Sequence, residues 1–147
     1  MAVSGIESSA GAQVSCSKTV AESDVTLFAG ITGDFSPNHI DEEAMAKTTY
    51  GGRIAHGALL VGYMSRASTL IGDRCPELMA THYPVSLGYD RVRFLKGVRI
   101  GDTVTINYVI ADTDSAKSRT IANVEMKNQR DELVAAATHI MTWISRT

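Results

Sequence analysis

Cysteine, proline and tryptophan are scarce in this chain, with two, three and one among 147 residues. Cys16 and Cys75 are too few for a disulfide framework and too far apart in sequence for a zinc motif. A reduced compartment, the cytoplasm, is therefore expected. No sign of charge dominates: the formal net charge is −2, which excludes a generally basic surface for nucleic acid. No stretch approaches the roughly 20 apolar residues of a membrane span. Met1–Gln13 has neither the basic start nor the apolar run of a signal peptide. That segment is mostly Ser, Gly and Ala, and is expected to be a flexible leader (residues 1–13) before one domain (residues 14–147). With 44% hydrophobic and 20% charged residues, the chain has the balance of a globular domain of ordinary size.

Periodicity supplies the elements. Gln13–Val20 alternates around Val14, Cys16 and Val20, as a strand does. Ser23 or Asp24 can cap a short helix with Val25, Phe28 and Ile31 inward. Thr32–Asn38 has turn chemistry, and Asp41 can cap a second short helix to about Lys47 before a break at Gly51–Gly52. Ile54–Gly72 holds a single charge and is apolar on nearly every side, which predicts a buried helix of roughly 28 Å at 1.5 Å per residue. Beyond it, Val85, Leu87 and Tyr89 alternate until the phase shifts to Val92 and Phe94, the mark of a bulge near Asp90. Val104–Ile110, Ile121–Lys127 and Leu133–Ile144 continue as strands between turns at Gly101-Asp102, Asp112–Lys117 and Asn128–Asp131. Several antiparallel strands with one substantial helix make an α+β layer fold, one sheet curling round that helix. The uncovered face and edges of such a sheet predict a homodimer.

Two stretches carry chemistry. One is Thr32-Gly33-Asp34-Phe35-Ser36-Pro37-Asn38-His39-Ile40-Asp41, which places a carboxylate and an imidazole five residues apart. An Asp and a His in a turn are more often structural than catalytic when they stand alone. The other, Arg53-Ile54-Ala55-His56-Gly57-Ala58-Leu59-Leu60, opens the buried helix, whose first N–H groups lack partners and sit at the positive end of its dipole. Gly57 there lets an oxygen approach the backbone closely.

Together the two stretches resemble the signature of the MaoC-like hydratases, in particular the (R)-specific enoyl-CoA hydratases of the hot dog fold. That family has a Gly-Asp-x-Asn-Pro-x-His-x-Asp segment followed by Ala-His-Gly at the start of its central helix. The likeness is sharp over about residues 28–65. It thins over the strands to pieces such as Val92-Arg93-Phe94-Leu95-Lys96 and Ile100-Gly101-Asp102. The resemblance implies a single hot dog domain with an antiparallel sheet around a long central helix. It implies Asp34 and His39 as the catalytic pair, Gly57 as the residue whose N–H receives the thioester oxygen, and Ser65 as a substrate-side serine. Ser36 stands where the family has Asn. By the residues themselves, Ser36, Asp41 and His56 are supporting groups: Asp41 caps a helix and His56 bonds backbone at a helix start.

Hydration of a 2-enoyl thioester needs a base for water, an acid for the α-carbon and a donor for the enolate oxygen. The implied reaction gives an (R)-3-hydroxyacyl thioester from an acyl-CoA substrate. It requires no metal and no cofactor beyond coenzyme A as part of the substrate. Arg91, Arg93, Lys96 and Arg99 can meet coenzyme A phosphates, but a solvated strand face explains them more cheaply. His82 and His139 have no evident partner, and Met64, Met79, Met126, Met141 and Trp143 are packing residues. Two rivals remain: a hot dog thioesterase, disfavoured because Ile54–Gly72 contains no carboxylate, and a non-catalytic acyl-binding subunit, disfavoured by the presence of both Asp34 and His39.

Overall fold

Alternation of apolar and polar residues builds most of the sheet in the computed structural model, which describes residues 5–147. Its strands are β1 (Gln13–Thr19), β2 (His82–Phe94), β3 (Thr103–Asp114), β4 (Arg119–Lys127) and β5 (Leu133–Ser145). Each neighbouring pair is antiparallel, in the order β1-β3-β4-β5-β2. Val104, Ile106, Tyr108 and Ile110 of β3 and Val124 and Met126 of β4 all point inward and are buried. The helices are α1 (Glu22–Thr32), α2 (Pro37–Ile40), α3 (Glu42–Ala46), α4 (Gly57–Leu70) and α5 (Pro76–Thr81). α4 packs on β1 and β3, with Leu60, Met64 and Ala67 sealed in the core cluster that also holds Trp143. This is the α+β, hot dog arrangement of one curved sheet around one helix.

β2 is the irregular strand. Its register against β5 shifts between Ser86 and Gly88 and again between Asp90 and Arg93, where Arg91 has a φ of 53°. The bulge expected near Asp90 is therefore present, and it is what moves the apolar phase from Tyr89 to Val92.

Several expectations need correction. The leader is not loose through residue 13. Ile6 is completely buried in the core, Glu7–Ser9 forms a 3-10 turn, and the Gly11 N–H donates to the Ile110 carbonyl. A single large apolar side chain in a small-residue segment was enough to pin it; Met1–Ser4 lie outside the described residues. The central helix starts at Gly57, not Ile54, because Ile54 bridges Arg99 and the Ala55 N–H donates to the Val98 carbonyl. Nor is α4 covered all round. Ala58, Gly62, Ser65, Arg66 and Thr69 are exposed, since one sheet can cover only one side of a helix. In α1, neither Ser23 nor Asp24 is the N-cap; Ala21 is, and Asp24 acts from the third helical position by accepting the Ala21 N–H at 2.9 Å. Val25 and Ala29 form its buried stripe, while Ile31 is 83% exposed. Pro37 turns part of the predicted loop into α2, since proline suits a first helical position.

His139 and His82 do have partners. His82 Nδ1 lies 2.8 Å from the Thr81 hydroxyl. His139 is fully buried, with Nδ1 2.7 Å from the Tyr108 hydroxyl and Nε2 2.7 Å from Ser86 Oγ. The Tyr89 ring stacks on it at 4.2 Å. β2, β3 and β5 bring these residues together from distant sequence positions. Burial pushes the His139 imidazole down to about 4. An unfolded histidine titrates near 6.5, so below that pH the unfolded chain binds a proton that the folded chain refuses. Stability should fall as pH drops from about 6.5 to about 4, by about 3 kcal/mol from this group. Urea unfolding of the wild type and His139→Asn across that range tests this: the difference between them should shrink as pH falls. A difference independent of pH would contradict it.

Candidate active site

The segment after α1 is aimed by its backbone. Gly33 caps α1 in the left-handed region, with φ 78°, and turns the chain so that Asp34 leaves the helix axis. The Ser36 N–H donates to Asp34 Oδ1 at 3.2 Å, while the Ser36 carbonyl accepts the His39 N–H at 2.9 Å. Ser36 therefore supports both residues through its main chain, and its side chain makes no capping bond. Asp41 does what its position predicts: Oδ1 accepts the Ala44 N–H at 2.9 Å at the start of α3.

His39 Nδ1–H donates to the Ile54 carbonyl at 2.8 Å. A carbonyl can only accept, so this bond fixes the proton on Nδ1 in the neutral ring and leaves Nε2 as the ring's acceptor. Nε2 faces Asp34 Oδ2 at 3.9 Å and receives the Asn38 side-chain N–H at 3.3 Å. The Asp34–His39 separation exceeds a direct hydrogen bond, yet one water can reach both atoms. The histidine side chain is 9% exposed and the aspartate side chain 49%, so one partner is held in protein and the other meets solvent.

His56 is the N-cap residue of α4. It is buried, and its Nε2–H donates to the Asp34 main-chain carbonyl at 3.0 Å. Its ring stacks on His39 at 3.8 Å and leans on Phe28 at 4.7 Å. The backbone it bonds is 22 residues away, which ties the catalytic-type loop to the helix start. Asp34, His39 and His56 each offer a donor atom within a 4.8 Å circle, the group among the described residues closest to a metal ligand set. One ring nitrogen of each histidine is bonded to a main-chain carbonyl, that of Ile54 for His39 and that of Asp34 for His56.

Gly57 opens α4, and its N–H has no acceptor among the described residues. His39, Gly57, Leu60, Phe94 and Lys96 line one cleft of about 380 Å³. The Phe94 ring lies directly on Gly57, where a Cβ would overlap it. Ser65 is not in this group. It sits eight residues further along α4, a rise of about 12 Å, on the exposed face.

Three contributors are not evident as such from the sequence. The Ile54 carbonyl orients His39, Asn38 bonds its Nε2, and Arg53 clamps the connecting segment. Arg53 binds both oxygens of Glu22 at 2.7 Å and Glu42 Oε2 at 3.1 Å. Only the presence of Arg53 beside the Ala-His-Gly piece was a signal for it.

A curved antiparallel sheet wrapped on one helix defines the hot dog class of domain. Residues 6–133 match the family described as MaoC like domain, and the chain belongs to that family. It is 39% identical over 100 residues to an (R)-specific enoyl-CoA hydratase of Rhodospirillum rubrum, covering 68% of this chain and 64% of that relative. It is 38% identical over 95 residues to a 3-hydroxybutyryl-CoA dehydratase of Methylorubrum extorquens, covering 65% and 55%. Both matches span less than two thirds of the relatives' length. The fold superposes on the (R)-hydratase from A. caviae involved in PHA biosynthesis with a TM-score of 0.77 at 25% identity, over 90% of this chain and 95% of that one. No helix among the described residues is long and apolar enough to cross a membrane.

Proposed function

We propose that this protein is a cytoplasmic lyase that reversibly hydrates a 2-enoyl thioester, carried by coenzyme A, to the (R)-3-hydroxyacyl thioester. The observation that carries the reading is the 3.9 Å approach of Asp34 Oδ2 to the acceptor nitrogen of His39, together with the cleft that His39 and Gly57 line in common, though Asp34 does not line it. A water bridging the pair loses a proton to it and attacks the β-carbon. The proton is returned to the α-carbon on the same face, which gives syn addition. Charge accumulates on the thioester oxygen only as the bond forms, and the Gly57 N–H, at the positive end of α4, meets it there. Neither a metal nor a redox group enters this scheme. The activity of the two relatives above supports the same chemistry.

Loss of enoyl absorbance with crotonyl-CoA and longer 2-enoyl-CoAs tests the reading. Hydrolysis of saturated acyl-CoA without hydration would favour a thioesterase instead. The absence of any carboxylate on α4 speaks against that rival. Binding of acyl-CoA without turnover would indicate an acyl-binding subunit.

The working form is proposed to be a homodimer joined along β2. Among the described residues this strand pairs only with β5, and its Tyr83, Val85 and Leu87 are exposed, an apolar edge that a soluble chain normally covers. Light scattering should give about twice the 15.8 kDa chain mass; a monomer at micromolar concentration would refute the pairing.

A further inference from the structure

Asn38 stands beside His39 in the wall of the cleft that reaches Gly57. The other polar side chains of that wall are engaged elsewhere: Lys96 is held by Glu132 at 2.6 Å, and the Tyr50 ring rests on Gly97. The backbone under Asn38 is fixed. Its carbonyl accepts the Ile54 N–H at 3.0 Å, and the Ile54 carbonyl in turn accepts the Nδ1 proton of His39. Ile54 thus clamps residues 38 and 39 as a unit. The Asn38 side chain is half-buried, and among the described residues its one hydrogen bond is to His39 Nε2, at 3.3 Å.

The tautomer of His39 fixes which way the carboxamide faces. Nε2 is an acceptor because the ring proton is spent on Ile54, so the atom opposite it has to be the amide nitrogen. A carboxamide oxygen there would set two acceptors against each other. The bond is long beside the usual range of about 2.7–3.2 Å, a weak hold that an entering water can take over. Nε2 is also the atom that faces Asp34 Oδ2 at 3.9 Å. Three polar groups, one donor and two acceptors, therefore surround the place where a bridging water would sit.

We infer that Asn38 is a further catalytic residue, whose amide N–H turns from His39 Nε2 onto the attacking water and aims that water at the β-carbon. The inference rests on the hydratase reading, since it assigns a role within that reaction. A water has two hydrogens and two lone pairs. Donating the hydrogens to His39 Nε2 and Asp34 Oδ2 leaves both lone pairs without direction. The Asn38 N–H occupies one, and the other is left to form the bond to the β-carbon. One water proton passes to the acid–base pair and returns to the α-carbon, while the other stays on the new hydroxyl. The amide itself neither gains nor loses a proton. In dehydration the same N–H meets the hydroxyl oxygen as it leaves. A donor already in place before the bond forms costs no reorganisation when it does.

The test compares the wild type with Asn38→Leu and Asn38→Asp, side chains of similar size that lack the N–H. With crotonyl-CoA, kcat should fall about ten-fold in each, the scale of one neutral hydrogen bond, while KM stays within about two-fold. Dehydration of (R)-3-hydroxybutyryl-CoA should slow by the same factor. In an Asp34→Asn background, Asn38→Leu should cost less than about two-fold more, because the water has already lost an anchor. A side chain that matters for packing alone would instead multiply the Asp34→Asn loss and lower the melting temperature. A wild-type rate in either single variant overturns the assignment, as does an undiminished loss in the Asp34→Asn background. An active wild type with unaffected variants sinks this inference alone. A wild type that hydrates no 2-enoyl-CoA sinks the hydratase reading and this inference with it.

Discussion

Turnover of crotonyl-CoA should fall at least about 10²-fold in Asp34→Asn and again in His39→Ala, the usual scale for a general acid–base group. The two losses should not add. Both side chains act on one water, so the double variant should be little slower than the worse single one. The substitutions should leave KM nearly unchanged, because neither group is proposed to bind the carrier. Asp34→Asn is nearly isosteric and Asp34 is half exposed, so folding should survive. His39 is packed between His56 and the Ile54 carbonyl, which makes a thermal melt of His39→Ala a necessary control. Near-normal rates in both folded variants would discard the mechanism.

Removing the Gly57 N–H should cost about 10² to 10³ in kcat, the effect of one oxyanion donor. The fold offers a clean way to do it. Gly57 is the first residue of α4, the position at which proline is best tolerated, since that N–H has no intrahelical partner. His56 already has φ −58° and ψ 134°, the region a residue before proline prefers. The obstacle is the Phe94 ring, which any Cβ at Gly57 would meet. Phe94 is 51% exposed and can be trimmed. The informative comparison is therefore Gly57→Pro against Gly57→Ala, both in a Phe94→Ala background. Both add bulk, but only proline loses the donor. Equal rates in these two proteins would show that Gly57 matters for space alone.

Local interactions explain which features were readable from the chain. Alternation along Val104–Ile110 placed β3, the phase change at Asp90 placed a bulge, and Asp41 capped α3 as its position demanded. The two motif stretches located Asp34, His39 and Gly57 in one neighbourhood. The exposed placement of Ser65, away from the Gly57 cleft, and the helix start at Gly57 instead of Ile54 share a reason the sequence could not show. Sequence spacing along a helix says nothing about which face a second layer covers, or which residues a distant loop will claim for bridges.

What the amino-acid order determined by itself was the set of elements and the chemical types available, because hydrophobic period and capping act within a few residues. Tertiary structure decided everything that depends on long-range approach. Ile54, fifteen residues from His39, selects its tautomer. His139 is neutral because the folded sheet buries it, between Ser86 of β2 and Tyr108 of β3. Arg99 reaches the Gly51–Gly52 turn, and Ile6 closes the core from a segment that reads as loose. Each of these contacts joins parts of the chain whose separation only the folded sheet can remove.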